Sequence, residues 1–561
     1  MLRRHFLQTA LTPLVTKVME GRDRELTCDV AIIGGGVGGV AAALAACRNG
    51  MRVILSEETD WLGGQLTAQA VPPDEHPWIE EFGCTASYRA YRNGVRDYYR
   101  RVYPLTQEAR ATINLNPGNG GVSRLTHEPK VSVAVLHGML ALYASSGQLV
   151  ILLEHVARHA DVAGDRVQAV SLLDQRTGES RSIEADYYLD ATELGDLLPL
   201  TRTEHVTGAE SQTATGELHA AAVAQPRNSQ SYTFCFAIDY LEGEDHRIEK
   251  PAEYSFWHNY VPKLSPPWIG PLLNWTACDP KTLQKRPAYL EPNPEGEPAQ
   301  GGLNLWTYRR IVDRHNFTKG SYHSDISLVN WPQNDFWLGD LVTADPLERQ
   351  ALLKRAKQLS LSLLYWMQTV APRPDGGEGW KGLRLRADVT DTEDGLAKTV
   401  YVREARRIQS EFTILEQHVG TAMRTKTHGQ ATAEVTAEPF PDTVGVGSYR
   451  IDLHPSAGGT NYIDVSSLPF EIPLGALIPR RLENLLPACK NIGTTHITNG
   501  CYRLHPVEWN IGEAAGAVAA FAVRSGVTPR AVRNRPQSLA EFQKLLVKQG
   551  VELHWPKIRP L

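Results

Sequence analysis

The sequence predicts an α/β fold that starts with a parallel β–α–β unit, and three consecutive segments predict it. Residues 28–33 form an apolar run typical of a buried strand, residues 40–46 a run of small residues typical of a closely packed helix, and residues 52–56 a second apolar run. A glycine-rich stretch, residues 34–39, separates the first strand from the helix. Glycines in this position and at this spacing predict a Rossmann-type dinucleotide-binding domain.

The glycines of residues 34–39 have separate expected tasks. Gly34 permits the tight turn, Gly36 lets backbone N–H groups approach a diphosphate, and Gly39 lets the helix lie close to the strand. Glu57, eighteen residues past Gly39, is placed to accept hydrogen bonds from ribose hydroxyls. The alternative is a glycine loop without a ligand. The predicted cofactor contacts of this unit are Gly34, Gly36, Val37, Gly38, Gly39, Glu57 and Glu58.

Two features favour FAD over NAD as the dinucleotide. The glycine motif lies near the N-terminus, and Gly63 and Gly64 offer a second close approach of the backbone, which an extended FAD needs. No second glycine fingerprint follows a strand further along the chain, whereas a separate NAD(P)H-binding half would show one. We therefore expect electrons to come from an organic substrate and to leave to oxygen or to a carrier.

The C-terminal part of the chain is predicted to complete the same domain. A strand at residues 484–490 leads into a loop at residues 493–504, and a helix rich in small residues opens at Pro506, where proline is well tolerated. The start of this helix is expected to direct its dipole at the flavin pyrimidine. Further predicted cofactor contacts are Gly63, Gly64, Gln65, Val156, Ala191, Asn491, Gly493, His505, Asn510 and Ile511.

Five segments carry a resemblance: residues 34–39, 63–65, 190–196, 401–407 and 494–510. Together they resemble a broad family of bacterial FAD-dependent oxidoreductases of the glutathione-reductase-like structural class. The resemblance covers most of the chain, and its C-terminal segment is more specific than the N-terminal glycine motif. It implies FAD and a redox task, but no particular substrate.

Length and composition exclude several classes of protein. A chain of 561 residues is too long for one compact core, so two or more domains are expected. A net charge of −5 gives no reason to expect nucleic acid, and no apolar run approaches the roughly 18–20 residues of a membrane span. The seven cysteines form neither CxxC nor CxxxxC pairs, so no metal site and no thiol–disulfide reductase chemistry are expected.

The domains are predicted to be discontinuous. Residues 26–70, 122–200 and 440–525 are assigned to the FAD-binding domain, with a parallel sheet and a β-meander. An α+β substrate or cap domain, residues 71–121 and 201–439, is inserted into it. The remaining assignments are a C-terminal helical extension at residues 526–561, strands at 150–153, 166–172 and 182–189, and helices at 131–145 and 346–369.

The N-terminus allows two interpretations. Arg3 and Arg4 resemble the start of a twin-arginine export signal, whose route carries folded, cofactor-loaded proteins to the periplasm. The apolar stretch that follows is short and contains Pro13, and no small-residue cleavage site follows it. The sequence therefore favours a cytoplasmic protein, with export as the alternative.

His505 and Arg503 are the candidate catalytic residues, because they lie in the segment expected beside the flavin ring. His505 titrates near neutral pH when unperturbed and can act as the base that takes a substrate proton. Arg503 can stabilise negative charge on the substrate or on the reduced flavin. The alternative for His505 is a histidine that caps the helix or contacts the flavin without proton transfer.

Two further groups are weighed as substrate contacts. Arg403 and Arg407 share a face if their segment is helical, and with Arg406 they could hold an anionic or hydroxyl-rich substrate; a salt-bridge cluster between domains is the favoured alternative. The loop-like residues 325–335 mix hydrogen-bonding groups with Trp331, which suits a sugar-like or amine-like substrate, although tryptophans more often pack in cores.

The sequence thus predicts an FAD-dependent dehydrogenase or oxidase that moves a hydride from a small polar organic molecule to flavin N5. A flavin-dependent monooxygenase of the same architecture and a non-catalytic flavoprotein are the alternatives. The substrate, the electron acceptor, the oligomeric state and covalent or non-covalent attachment of the flavin stay open.

Overall fold

The computed structural model describes residues 24–295, 302–429 and 434–556. The segment on which the export prediction rests lies outside the described residues. The strands in chain order are β1 (Arg24–Ile33), β2 (Val53–Glu57), β3 (Leu149–Leu153), β4 (His155–Ala163), β5 (Arg166–Asp174), β6 (Ser180–Asp190), β7 (His205–Val206), β8 (Tyr232–Thr233), β9 (Phe236–Tyr240), β10 (Thr276–Cys278), β11 (Lys285–Tyr289), β12 (Leu303–Asn304), β13 (Arg310–Val312), β14 (Ile326–Val329), β15 (Leu383–Leu385), β16 (Tyr401–Val402), β17 (Arg407–Ile408), β18 (Thr443–Gly447), β19 (Ile451–Leu453), β20 (Ile463–Val465), β21 (Phe470–Pro473) and β22 (Leu485–Pro487).

The helices in chain order are α1 (Val37–Arg48), α2 (Ala86–Val102), α3 (Gln107–Ala111), α4 (Pro129–Ser145), α5 (Leu197–Leu200), α6 (Gln212–Thr215), α7 (Tyr254–Asn259), α8 (Leu305–Tyr308), α9 (Pro346–Thr369), α10 (Ala387–Thr390), α11 (Glu416–Val419), α12 (Thr421–His428), α13 (His496–Tyr502), α14 (His505–Ser525), α15 (Pro529–Asn534) and α16 (Pro536–Lys548). Short 3₁₀ turns lie at Gly64–Leu66, Arg314–Asn316, Pro332–Asn334 and Leu474–Leu477.

The largest sheet combines a parallel part with a meander. Its strand order is β3-β2-β1-β6-β5-β4, and β22 also pairs with β6. The pairs among β3, β2, β1, β6 and β22 are parallel, whereas β4, β5 and β6 follow one another antiparallel. The predicted α/β fold with a parallel sheet and a β-meander is therefore confirmed. Strand β4 was not expected from the sequence, and its polar and charged residues are largely solvent-accessible.

Strand β22 brings two distant parts of the chain together. Leu485 pairs with Tyr188 and Pro487 with Asp190, in parallel register. The backbone N–H of Ala488 donates to the carbonyl of Asp190, which extends the pairing past the strand ends. The predicted strand at residues 484–490 thus exists, and it lies at the edge of the sheet where β1 and β6 also end.

Glycines set the distance between α1 and α14. A Cβ atom on Gly512 would lie 2.0 Å from the carbonyl oxygen of Gly38, and one on Gly516 would lie 2.3 Å from that of Ala42. A Cβ atom on Gly38 would lie 1.8 Å from the carbonyl oxygen of Ala488. No larger residue fits at these positions without a backbone shift, so the small residues of α14 serve its close packing against α1.

A second apolar core surrounds the antiparallel sheet β13-β14-β9-β15 and helix α9. Helix α9 has the predicted bounds, and Asp345 caps its start by accepting hydrogen bonds from the N–H groups of Leu347 and Glu348. All eight tryptophans between Trp257 and Trp380 are buried in this core. Their concentration in the sequence therefore marks a separate packing unit.

Two segments differ from the sequence-based expectation. Residues 403–407 do not form a helix: β16 precedes them, β17 begins at Arg407, and these strands pair with β8 and β7. The condition under which Arg403 and Arg407 would share a face is therefore not met, because the two ends of the segment pair with distant strands. Residues 493–504, expected to be a loop, contain α13, whose start Thr495 caps by accepting a hydrogen bond from the N–H of Thr498.

Helices outside the sheet also pack into the apolar core that contains α1 and α14, which we call the first core. Tyr88, Tyr91 and Val95 of α2 and Phe542 and Leu546 of α16 belong to the same apolar cluster as α1 and α14. The helices expected after residue 525 are present as α15 and α16. The division into domains with the boundaries given above stays a prediction. Within the described residues, every helix is too short or too polar to cross a bilayer.

Candidate cofactor and substrate sites

A cavity of about 460 Å³ opens at the carboxyl ends of β1, β2 and β6. Ligands of open α/β sheets bind at this edge. We call it the first cavity. It brings together seven of the residues predicted to contact the cofactor: Gly34, Gly36, Glu57, Glu58, Gly64, Val156 and Ala191.

Two glycine loops face each other beside the first cavity. Gly36 precedes α1, and a Cβ atom there would lie 2.9 Å from the Glu193 carboxylate and 3.8 Å from the Ala191 carbonyl oxygen. A Cβ atom on Gly64, whose φ is +49°, would lie 2.9 Å from the Cα of Gly36. The Gly63 N–H donates to the Gly35 carbonyl, which ties the loops together. Glycines at the start of a helix leave the backbone N–H groups accessible, and these groups can bind a diphosphate.

Glu57 closes the end of β2 and is buried. One carboxylate oxygen accepts the N–H of Gly35 at 2.9 Å, and the other accepts the N–H and hydroxyl of Thr59 at 2.9 and 2.8 Å. Burial, and after it the charge of Glu58, raise the pKa of Glu57 to about 8. The carboxylate is thus fixed in orientation at the mouth of the turn, as a ribose contact requires.

Three charged side chains lie between the two loops and α14: Lys490 and Glu508 are buried, and Glu193 is half-buried. Lys490 forms an ion pair with Glu193 and lies 3.6 Å from the Glu508 carboxylate. Burial alone would lower the pKa of Lys490, but the two carboxylates hold it above its usual value. Burial raises the pKa of Glu508 to about 7, although Lys490 opposes the shift. Lys490 and Glu193 were not among the predicted contacts, although Lys490 is the one charged residue of the predicted strand at 484–490.

Several predicted contacts lie outside the first cavity. Asn491 binds the Asp190 carbonyl and the Cys489 N–H, and Asn510 binds Val444 and Val446 of β18. Gly493 packs against Ser410, where a Cβ atom would lie 1.8 Å from the hydroxyl. The other predicted contacts that do not line it are Val37, Gly38, Gly39, Gly63, Gln65, His505 and Ile511. The structure gives Asn491, Gly493 and Asn510 clear packing tasks, and their contact with the cofactor stays a prediction.

Gln65 links the second glycine loop to the start of α14. Its amide nitrogen donates to the Glu508 carboxylate at 2.9 Å and to the Arg503 carbonyl at 3.2 Å. These two hydrogen bonds hold the start of α14 against the loop that carries Gly64. The C-terminal segment was expected to complete the same domain as this loop.

His505 is fully buried at the first position of α14. Its Nδ1 accepts the backbone N–H of Asp74 at 3.0 Å, so the ring proton resides on Nε2, which has no partner among the described residues. Burial, followed by the charges of Arg309 and Arg503, lowers the pKa of His505 to about 3. At neutral pH the ring is therefore uncharged and offers one N–H donor.

A second cavity, of about 190 Å³, lies next to Arg503. Arg309, Arg403 and Arg503 line it with buried guanidinium groups, and Tyr401 and His454 belong to the same wall. The other lining residues that carry charge are Asp74, Arg286, Arg450, Asp452 and Asp464. Their sequence positions run from 74 to 503, so no local pattern could have predicted the cavity as a whole.

Strand β16 forms the wall between the cavities. Val400 and Val402 line the first cavity, whereas Tyr401 and Arg403 line the second. Successive side chains of a strand point to opposite sides, so one extended segment faces both spaces. Arg503 donates to the Tyr401 hydroxyl at 3.0 Å, which couples this wall to the residues before α14.

The arginines near β16 have separate tasks. Arg407 pairs with Glu404 and Glu210, and Arg406 pairs with Asp196. These two arginines are engaged in ion pairs, and the favoured alternative, a salt-bridge cluster between domains, stays a prediction. Arg403 alone reaches the second cavity, where its guanidinium pairs with Asp335 at 2.9 Å.

Residues 325–335 were expected to be loop-like, but they contain β14 and the 3₁₀ turn at Pro332–Asn334, and part of this stretch reaches the second cavity. Asn330 and Trp331 line it, and Asp335 lies behind Arg403. Asp325 instead pairs with Arg310, at 2.9 Å. The C-terminal part of this stretch therefore brings the predicted mixture of an aromatic ring and hydrogen-bonding groups to the cavity.

The residues that line the first cavity are chemically suited to bind FAD. Ser56, Gln69 and Glu193 line it with buried polar atoms that lack a hydrogen-bond partner among the described residues, and such atoms call for a ligand. Glu57 would hold ribose, the turns at Gly36 and Gly64 would hold the diphosphate, and Val156 would contact the adenine.

The family comparison agrees with this geometry. The sequence model of the family described as FAD dependent oxidoreductase matches residues 29–546. The chain belongs to this family. FAD is therefore the cofactor of this oxidoreductase, and the predictions of a flavoprotein and of an oxidoreductase enzyme are confirmed.

Solved structures similar to this FAD-dependent oxidoreductase are distant. L-proline dehydrogenase from P. horikoshii is 18% identical over 34% of this chain and 25% of its own, with a TM-score of 0.18. Quinol fumarate reductase from E. coli is 10% identical over 94% and 74%, with a TM-score of 0.30. A geranylgeranyl bacteriochlorophyll reductase-like protein from Thermoplasma acidophilum is 11% identical over 94% and 85%, with a TM-score of 0.27.

These likenesses carry no argument about the activity. The oxidoreductase spans only a quarter of the length of the L-proline dehydrogenase. No curated protein sequence matches it. The substrate has to be inferred from the second cavity itself.

Proposed function

We propose that this oxidoreductase is a dehydrogenase or oxidase that removes two electrons from a small polar organic molecule bound in the second cavity. The observation that carries the proposal is the position of residues 400–403, which include β16: the side chains of Val400 and Val402 line the cofactor cavity, and those of Tyr401 and Arg403 line the second cavity. Bound FAD would supply the hydride acceptor.

The reaction balances with one base and one electron acceptor. A substrate C–H bond breaks with its electron pair, an O–H or N–H bond on the adjacent atom loses a proton, and a C=O or C=N bond forms. The proton goes to a side chain of the second cavity. The two electrons later leave to oxygen or to a carrier.

We infer that His454 is the base. Its Nδ1 lies 2.7 Å from the Asp335 carboxylate, so Nδ1 carries the proton and Nε2 is left as the acceptor. His454 lines the second cavity and keeps about a fifth of its side chain solvent-accessible. The Asp452 carboxylate lies 3.6 Å from Nε2, within ion-pair distance, so it would attract a proton taken up on that nitrogen. The Asp335 carboxylate orients the ring from the other side, and a histidine oriented by a carboxylate supports proton transfer.

His505 is better suited to donate a hydrogen bond than to take a proton. The base prediction needs a free ring nitrogen, but Asp74 occupies Nδ1 and the proton resides on Nε2. We propose that Nε2–H of His505 contacts the cofactor, and that Arg503 stabilises negative charge in the adjoining cavity, as the sequence analysis expected of it.

The test is anaerobic mixing of the FAD-loaded protein with sugars, amines and acids while the visible flavin absorbance is followed. Bleaching by one class of organic molecule supports the proposal. The monooxygenase alternative expects rapid bleaching by NADPH alone, and that result with no bleaching by any organic molecule would overturn the dehydrogenase assignment.

A further inference from the structure

The second cavity is lined by more positive than negative side chains. Five arginines line it, Arg286, Arg309, Arg403, Arg450 and Arg503, against the three aspartates Asp74, Asp452 and Asp464. Asp335, which lies behind the wall and pairs with Arg403, reduces the excess to one positive charge. A small anion would bring this group of charges to balance.

The aspartates are already engaged with arginines. Asp74 lies 3.4 Å from Arg309, and Asp452 lies 3.1 Å from Arg503. The third pair joins Arg450 to Asp464. Each carboxylate therefore has a positive neighbour, and none is left to attract a cationic ligand such as a protonated amine.

Hydrogen-bond donors without partners exceed acceptors among the lining residues. Within the described part of the chain, the Nε atoms of Arg309, Arg403 and Arg503 are buried and unpaired, as are Asn330 Nδ2 and Trp331 Nε1. The matching unpaired acceptor among these lining residues is Gln333 Oε1, and the Tyr462 hydroxyl can serve either way. Buried donors without partners are unfavourable, so the cavity suits a ligand rich in oxygen acceptors.

We propose that the substrate carries a carboxylate, which Arg309, Arg403 and Arg503 hold in the second cavity. Guanidinium groups bind carboxylates with paired, charge-assisted hydrogen bonds, which favours arginine over lysine at such a site. The cavity volume of about 190 Å³ selects a small organic acid, with His454 beside it. This inference rests on the proposed function, since it names the class of molecule that is oxidised.

The experiment is calorimetric titration of the FAD-loaded protein with matched pairs of probes: acetate against acetamide, lactate against lactamide, and succinate against succinamide, at constant ionic strength. We expect at least one carboxylate to bind about tenfold or more tightly than its amide, because the amide offers one acceptor and no charge. Equal binding within every pair, or no binding by any carboxylate, would overturn the proposal.

Two arginine variants identify the site. Arg309→Gln should weaken binding of the preferred carboxylate about tenfold or more and leave amide binding unchanged, because Arg309 contributes a buried charge. Arg309→Gln combined with Asp74→Asn removes the ion pair as a unit and serves if the single variant folds poorly. Arg247→Gln, in a surface ion pair with Asp245, is the control. Wild-type affinity in both the single and the double variant would contradict the assignment.

The outcomes separate this inference from the proposed function. Arginine-dependent binding of a carboxylate without flavin bleaching supports the anion site and weakens the dehydrogenase assignment. Bleaching by neutral molecules in a protein that binds no carboxylate leaves the dehydrogenase standing and removes the anion site.

Discussion

At the scale of single residues, two glycines of the same motif have different tasks that substitution can separate. A Cβ atom on Gly36 would lie 2.9 Å from the end of the Glu193 side chain, and its nearest backbone contact, the Ala191 carbonyl oxygen, would lie at 3.8 Å. A Cβ atom on Gly39 would lie 2.0 Å from the Gly34 carbonyl oxygen, between helix and strand. A substitution at Gly36 is therefore expected to affect cofactor binding, and a substitution at Gly39 is expected to affect the stability of the fold.

We expect Gly36→Ala to lose FAD while the apoprotein keeps its melting temperature. Gly39→Ala should destabilise the apoprotein by about 1–3 kcal/mol, because backbone atoms must move apart. Flavin content after purification and thermal unfolding of the apoproteins measure the two effects. Equal loss of stability in both variants would show that the motif acts on packing alone.

The two candidate histidines, His454 and His505, are expected to differ in how strongly their substitution lowers kcat. His454→Gln should lower kcat about 10²-fold or more, because the proton acceptor is lost. His505→Gln should lower kcat less, since its ring only donates a hydrogen bond. Steady-state kinetics of the two FAD-loaded variants measures both effects, and a larger loss of kcat in His505→Gln than in His454→Gln would contradict the assignment of His454 as the base.

Several residues of the first cavity could be predicted because they belong to motifs that are short and continuous in the sequence. Gly34, Gly36 and Glu57 stand within twenty-four positions of one another. The second cavity takes Asp74, Arg309 and Arg503 from three distant segments, so only the tertiary structure could bring them together. Arg403 was identified as a candidate, but for a helical face that does not exist.

At the scale of elements, β16 acts as a partition whose two faces can be tested one residue apart. Val402 faces the cofactor cavity, and Tyr401 accepts a hydrogen bond from Arg503 on the other face. This alternation is a property of extended backbone, and a helix at the same residues would have lost it.

We expect Val402→Phe to weaken FAD retention, because the larger ring enters the first cavity. Tyr401→Phe should keep FAD and lower turnover about tenfold, because Arg503 loses a hydrogen-bonding partner. Flavin content and steady-state kinetics distinguish them. Loss of FAD in Tyr401→Phe would show that the strand does not separate two functions.

Helices and strands with a clear hydrophobic periodicity or a clear capping residue could be predicted from the sequence. Short strands that exist because they pair with a distant strand could not. Helix α9 has the expected bounds because Asp345 and Pro346 mark its start. Strand β16 has two residues and exists because β8 pairs with it. Helix α13 was missed because residues 494–499 contain three threonines and no apolar stripe.

At the scale of the whole molecule, buried histidines make the fold sensitive to acid. Burial lowers the pKa of His76 and of His127 to about 4, and that of His505 to about 3. The unfolded chain returns these groups to a pKa near 6.5. Between these values the unfolded state binds more protons, so their contribution to stability is complete above about pH 6.5 and is lost as the pH falls towards 4.

His127 offers the clearest test, because it is buried against Tyr91 and Ser132, away from both cavities. His127→Gln should destabilise the apoprotein at pH 7.5, and this difference from wild type should shrink by about 2 kcal/mol at pH 5. Urea unfolding at the two pH values measures it. A difference that stays constant or grows would contradict the neutral buried state of His127.

The second core has an optical consequence. Eight of the twelve tryptophans are confined to it, whereas the glycine turns of the cofactor cavity adjoin helix α1 of the first core. Ultraviolet emission would then report mainly the loosening of the second core, and the visible absorbance of the cofactor would report the opening of the cofactor cavity. Two transitions that coincide on heating would mean that the cores melt as one cooperative body, and two that separate would reveal which gives way first.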